Sequence, residues 1–260
     1  MASRTLMFCL VLLAVAPACA VALQWPAKVS VGLYESGYLY SVSSGVGIDK
    51  DVMDEVAKRA GFRVEYLIMP RARIWVRLRE GSLMVAGSGI ATPEREKFAY
   101  FLPYMGLKNY VLHLKTQPVR SAAEFLAQPQ LAWGKIRSYT HGPDGNAFLG
   151  QLGPARWQET ASQDNLYRML KNGRFTAMFA LLPFYAKYLK DNQMEDQVLV
   201  DDWFPREAPI PHSLVLSRQS FGENEIAALR KVLEDMHRDG TLLRIFSKYV
   251  GPQAHTMLLP

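Results

Sequence analysis

The fold can be read outward from Leu83-Met-Val-Ala-Gly-Ser-Gly-Ile-Ala-Thr-Pro-Glu-Arg95. Leu83 to Ala86 is an apolar run short enough for a buried strand. Gly87-Ser-Gly89 follows, small residues that let the backbone turn and let other groups approach closely. Thr92 is a helix-capping residue type, Pro93 suits the first helical position, and Glu94 suits the positive end of a helix dipole. The pattern predicts a strand, a turn and a short helix, with Arg95 just past the carboxyl end of the strand. Open α/β sheets bind ligands at that edge. A guanidinium there can hold a carboxylate by two parallel hydrogen bonds, and a solvated surface arginine is the alternative.

Upstream, Lys28 to Leu33 alternates as a strand does, and Tyr34 to Gly47 is a loop rich in Gly, Ser and Tyr. Asp49 is placed to cap a helix carrying Val52, Val56 and Ala60 on one face, with Gly61 closing it. Val64 to Met69 reads as a strand, and the segment after Pro70 as a helix to Glu80. This β-α-β-α-β order predicts a parallel sheet with right-handed crossovers. Tyr110 to Lys115 is extended, and after Pro118 a second alternating unit begins. It has a helix opened by Ser121 and Glu124, a strand at Leu131 to Trp133, and a polar loop at Lys135 to His141. A strand at Arg156 to Thr160, a helix from Ser162, a strand at Phe175 to Phe179, a helix from Pro183 and a strand at Val198 to Val200 complete it. His212 to Leu216 is extended again. Helices over Glu223 to Arg238 and Thr241 to Tyr249 follow, and Pro252 to Pro260 is expected to be loosely held.

Composition sets limits. With 49% apolar and 21% charged residues the chain can build a globular core. Arg4, the apolar run Leu6 to Ala16, and Ala18-Cys-Ala20 form a secretory signal peptide over residues 1–20. Cleavage is expected after Ala20 or Ala22, and the sequence before Cys19 is a poor lipidation signal. The expected location is therefore the periplasm. Both cysteines, Cys9 and Cys19, lie in this leader, so the mature chain is expected to hold no disulfide. No later apolar stretch is long enough for a transmembrane helix. The formal net charge of +6 is spread out, which argues against nucleic acid as a partner and suggests a mild attraction for anions.

Four segments stand in order along nearly all of the mature chain: Gly47-Ile-Asp-Lys-Asp51; Gly81 to Arg95 with Tyr100 to Tyr104 behind it; Lys171-Asn-Gly-Arg-Phe-Thr-Ala177; and Asp239-Gly-Thr-Leu-Leu-Arg-Ile-Phe-Ser-Lys-Tyr249. The set resembles the bacterial extracellular solute-binding proteins of family 3, the polar-amino-acid type. The resemblance implies an α/β, two-lobed periplasmic-binding-protein-like fold (type II) whose lobes close on a ligand by hinge motion. Residues 21–113 would form the first part of lobe 1, 114–211 lobe 2, and 212–260 the return to lobe 1. The hinge crossings would lie near Leu112 to Thr116 and Pro211 to Leu216. A monomer serving an inner-membrane ABC permease is the implied assembly.

The resemblance makes Arg95 the carboxylate-binding arginine, beside Gly87 and Ser88. It puts Gly134 to Thr140 where backbone N–H groups at a helix start meet an anion, with Ser138, Tyr139 and Thr140 as candidates and Arg137 in place of the usual glycine. Departures bear on specificity. Leu181 stands where the family has the aspartate that grips an α-amino group, Ile90 where it has a hydroxyl, and Arg71 where it often has an aromatic. A leucine leaves an ammonium unpartnered, which is costly in a closed cleft. The ligand is therefore expected to be anionic or partly apolar rather than a standard α-amino acid. Tyr34 and Tyr38 could stack over it, and Glu35 could serve as a cation partner.

No catalytic motif, cofactor loop or metal-ligand spacing is present, so an enzyme, a cofactor and a metal are not expected. The alternatives are a cleft enzyme resembling cyclohexadienyl dehydratase, for which Glu35 is the candidate acid, and a sensory or accessory binder.

Overall fold

A computed structural model describes residues 25–137 and 139–260. Residues 1–24, where the signal peptide is expected, and Ser138 lie outside these residues. The chain folds into two five-stranded sheets, each the centre of one lobe.

The first lobe begins with β1 (Val29–Leu33), α1 (Ile48–Ala60), β2 (Val64–Ile68), α2 (Arg71–Arg79), β3 (Val85–Gly89), α3 (Pro93–Glu96) and β4 (Ala99–Leu107). The second holds β5 (Asn109–Leu114), α4 (Ala122–Leu126), β6 (Trp133–Ile136), α5 (Gly142–Leu152), β7 (Trp157–Thr160), α6 (Gln163–Lys171), β8 (Ala177–Leu181), α7 (Leu182–Asp191) and β9 (Val198–Asp201). The chain then returns through β10 (Ile210–Ser217), α8 (Glu223–Arg238) and α9 (Thr241–Val250). Strand order is β2-β1-β3-β10-β4 in the first sheet and β7-β6-β8-β5-β9 in the second. β1 runs parallel to β2 and β3, as the β-α-β-α-β order requires, and β6 runs parallel to β7 and β8. The strands nearest the crossings, β10 and β5, are antiparallel to their neighbours.

The lobe boundaries differ from those expected. β5 pairs with β8 and β9, so the chain leaves the first sheet at Lys108 rather than near Leu112 to Thr116. It rejoins that sheet at Ile210, which pairs with Leu107, so the return crossing lies upstream of Pro211. An extended run carries no mark of which sheet it will join. Its partners decide, and here β4 and β5 abut with one residue between them.

Two local readings also change. Gly87-Ser-Gly89 is the end of β3, not a turn after it. The tail forms a 3-10 helix over Gly251–Met257, held by the buried Ala254 and Met257, so it is not loose. Among the described residues no helix is long and apolar enough to cross a membrane.

Candidate functional site

A cavity of about 540 Å³ lies between the lobes. That is within the size range of small-molecule sites. Lobe 1 lines it with Tyr34, Glu35, Arg71, Ser88, Thr92, Arg95 and His212, and lobe 2 with Asn109, Lys135, Tyr139, Thr140, His141, Gln163 and an apolar set that includes Leu181.

Arg95 is placed by its own short helix. Thr92 caps α3 by accepting the Arg95 N–H at 3.3 Å, and Pro93 starts the first turn, as read from the sequence. The Arg95 guanidinium donates to the Ile90 carbonyl at 2.8 Å and lies over the Trp75 ring at 3.9 Å. These contacts hold the group flat and leave other N–H donors for the cavity. Burial, and after it the neighbouring Arg71, lowers the Arg95 pKa. Among the described residues no carboxylate pairs with either arginine. Burial pushes the Tyr34 phenol up to about 12 against the pull of Arg71, so it stays protonated. Two cations and a hydroxyl thus face one space.

Behind this wall, Asp49 is not the cap expected of it. Gly47 takes the N-cap position, and Asp49 turns inward, 3% exposed. Its carboxylate accepts from Ser88 Oγ at 2.6 Å and from the Tyr104 hydroxyl. Burial raises its pKa to about 6, against those two hydrogen bonds. Gly87 makes room for this carboxylate, since a Cβ there would sit 2.5 Å from Asp49 Oδ2. The network holds Ser88 at φ 50, a conformation uncommon for a serine, at the cavity wall. Gly87 therefore shapes the wall from behind and does not line it.

Tyr38 does not line the cavity either. Its ring packs on Tyr249, and its N–H donates to the Pro183 carbonyl of lobe 2 at 2.9 Å. Glu35 does reach the cavity, but its carboxylate accepts the Val42 N–H at 2.7 Å and ties the loop together.

Lobe 2 answers its own positive groups. Lys135 lies 3.2 Å from Glu159 and over the Trp157 ring at 3.9 Å. Part of the backbone around the expected anion site is also engaged. The Tyr139 N–H bonds the Ile136 carbonyl at 3.2 Å, and the Glu207 carboxylate accepts the Asp144 N–H at 3.0 Å in the first turn of α5. The start of that helix thus holds a carboxylate of the chain itself, which is the group its dipole favours. His141 packs on Phe179 at 4.9 Å, with Nδ1 3.3 Å from Asn109 Oδ1. Burial, then Lys135, pushes its pKa down to about 4, so the ring is neutral at physiological pH. Thr140, Gln163 and an apolar set complete this wall, the latter being Ile136, Leu166, Met178, Phe179, Ala180, Leu181 and Phe184.

Of the residues expected at the site, the cavity gathers Arg95, Arg71, Tyr34, Glu35, Ser88, Tyr139, Thr140 and Leu181. Ser138 lies outside the described residues. Sequence reasoning missed Asn109, Lys135, His141, Gln163, Phe184 and His212. Asn109 and Leu181 face each other across β5 and β8, so a strand pairing was the missing signal for Asn109. The histidines offered only the absence of metal spacing. Among the described residues no group of His, Cys, Asp and Glu is placed to hold a metal.

Comparisons with known proteins agree with this architecture. The chain is 25% identical over 213 residues to a probable histidine-binding protein of Neisseria gonorrhoeae, covering 80% of this chain and 75% of that protein. An ancestral cationic amino acid solute-binding protein superposes with a TM-score of 0.69 at 21% identity, covering 86% of this chain and 96% of the other. The arginine-, lysine-, histidine-binding protein of Geobacillus stearothermophilus gives 0.66 at 23% identity, covering 86% and 95%. A family model matches residues 31–252. The chain belongs to the bacterial extracellular solute-binding proteins, family 3.

Proposed function

We propose that this chain is exported to the periplasm, captures a small organic anion without an α-ammonium group between its lobes, and presents it to an inner-membrane ABC permease. One observation carries the reading: Arg71 and Arg95 converge on the cavity with no carboxylate paired to them among the described residues. Like charges held together in a partly buried site repel, and a bound anion relieves that repulsion while accepting their hydrogen bonds. Leu181 supports the second half of the reading. It stands where the resemblance places the ammonium-gripping aspartate, and it lines the cavity. The relatives' names speak of histidine and of cationic amino acids, and the proposal for this chain departs from them at that residue. Glu35, the acid that a dehydratase reading needs, is engaged by the Val42 N–H, which favours binding over proton donation.

The test is thermal stabilisation of the mature chain, beginning at Val21, against organic acids and α-amino acids at matched concentrations. Acids lacking the α-amino group should raise the melting point by several degrees at saturation. Leu181→Asp should reverse the preference toward α-amino acids. Stabilisation of the parent chain by α-amino acids alone would sink the proposal.

A further inference from the structure

The two walls of the cavity differ in kind, and that difference bears on the rest of the solute. We infer that the solute is a monocarboxylate whose body is uncharged and apolar, with an aromatic ring as the best fit. Its carboxylate lies on Arg71 and Arg95, and its body lies on Phe179, Leu181 and Phe184 of the opposite lobe. The inference rests on the proposed anion site and extends it to the far end of the molecule.

Three observations lead there. A second carboxylate reaching lobe 2 would meet Lys135 and the start of α5, and both already hold carboxylates of the chain, Glu159 and Glu207. To displace either would expose that carboxylate to the incoming one, so lobe 2 discriminates against dianions. An ammonium fares no better, since Glu35 is the single acid lining the cavity among the described residues and it serves the loop. Most of what lobe 2 offers is apolar surface: Phe179 in the middle of β8, Leu181 at its end, and Phe184 in the first turn of α7. His141 packs on Phe179 with its ring tilted and is held neutral by burial, so this patch of Phe179, Leu181 and Phe184 carries no charge of its own at pH 7. Tyr139, 49% exposed, adds a flat face at the rim. A ring against these groups gains apolar burial, and His141 Nε2 is the one buried side-chain polar atom of this lining without a hydrogen-bond partner among the described residues. The cavity of about 540 Å³ has room for one.

The experiment is calorimetric titration of the mature chain with 3-phenylpropionate, adipate and L-phenylalanine. 3-Phenylpropionate differs from L-phenylalanine by the α-amino group alone. It differs from adipate by carrying a phenyl ring in place of adipate's last two methylenes and second carboxylate. The expected result is that 3-phenylpropionate binds about tenfold or more tighter than either, and that Arg95→Ala weakens it at least tenfold. Tighter binding of adipate overturns the apolar body and leaves the anion site standing. Tighter binding of L-phenylalanine overturns the exclusion of an α-ammonium, the reading on which the inference rests, while leaving the ring and the carboxylate where they are placed. Failure of 3-phenylpropionate to bind at millimolar concentration, or binding untouched by Arg95→Ala, overturns the inference.

Discussion

Arg95 and Lys135 face the same cavity from opposite lobes, and each lies 3.9 Å over a tryptophan ring, yet their charges are used differently. Lys135 is paired with Glu159 at 3.2 Å. Arg95 has a carbonyl, an aromatic face and another cation, but no carboxylate among the described residues. A positive side chain near a cavity is thus not in itself a binding group. What matters is whether the fold has already supplied its counter-charge. By that criterion lobe 1 holds the anion site, and lobe 2, whose α5 start is likewise satisfied by Glu207, does not.

The most direct way to break this comparison is Arg95→Ala. If the guanidinium meets an anion in a half-buried cleft, its loss should cost roughly 2–4 kcal/mol of ligand affinity. Affinity measured by titration and found unchanged would remove Arg95 from the site.

The lobes should also differ in the sign of their response to pH. Asp49, beneath the lobe 1 wall, has its pKa raised from 3.8 to about 6. Between those values the folded state holds the proton more tightly than the unfolded chain, so this group lowers stability as pH rises from 4 to 6. His141, in the lobe 2 wall, is pushed down from 6.5 to about 4. There the unfolded chain binds the proton more tightly, so stability falls as pH drops through the same window. Each contribution is on the order of 3 kcal/mol at full extent, and in the parent protein they oppose one another. Asp49→Asn should make acidification from pH 6 to 4 more destabilising, and His141→Gln should make it less so. Denaturant midpoints across that range would show the two slopes moving apart. Slopes identical to the parent's would mean that neither group titrates as its burial implies.

How much of this was legible in the sequence follows the same division. Arg95 could be read because its placement is local: Thr92 and Pro93 fix a short helix, and three residues suffice to say where the guanidinium lies. Leu181 could be read through the resemblance, because a missing acid is visible one position at a time. Asp49 could not be placed, because an acid at the start of a helix looks like a cap, and Ser88 and Tyr104, which draw it inward, are distant in sequence. The lobe boundary was missed for a similar reason: β4 and β5 form nearly one extended run, and pairing with β10 or with β8 and β9 separates them. Glu159 and Glu207, the residues that neutralise lobe 2, carry no motif. Their role exists only once β7 lies beside β6 and the return segment passes the start of α5.

The contact between the lobes offers a smaller test. Gly37 in lobe 1 has φ +62, and a Cβ there would lie 2.8 Å from the Pro183 carbonyl oxygen and 2.9 Å from Phe184 Cα. The next residue donates across the same gap, Tyr38 N–H to Pro183 O. Gly37→Ala should cost roughly 1–2 kcal/mol through the left-handed backbone and the crowding of α7. If the contact belongs to the closed arrangement, the variant should show weaker ligand binding and a larger radius of gyration by solution scattering. A loss of stability with neither change would mean that the strain is absorbed within the loop.

The smallest effect is expected at Lys135. Its ammonium sits close enough to the cavity that a count of charges would add it to the anion site. If Glu159 already neutralises it, Lys135→Met should change affinity for an organic acid by less than about 1 kcal/mol, the scale of a partly exposed ion pair. Glu159→Gln is the sharper variant, because it leaves the ammonium in place and removes its counter-charge, which Arg137 shares at 3.9 Å. It should make lobe 2 more hospitable to a second carboxylate, narrowing the gap between 3-phenylpropionate and adipate while leaving the contribution of Arg95 intact. If Lys135→Met instead costs as much as Arg95→Ala, then both lobes hold the anion. The contrast between a used and an unused cation would then fail at the residue where it was drawn.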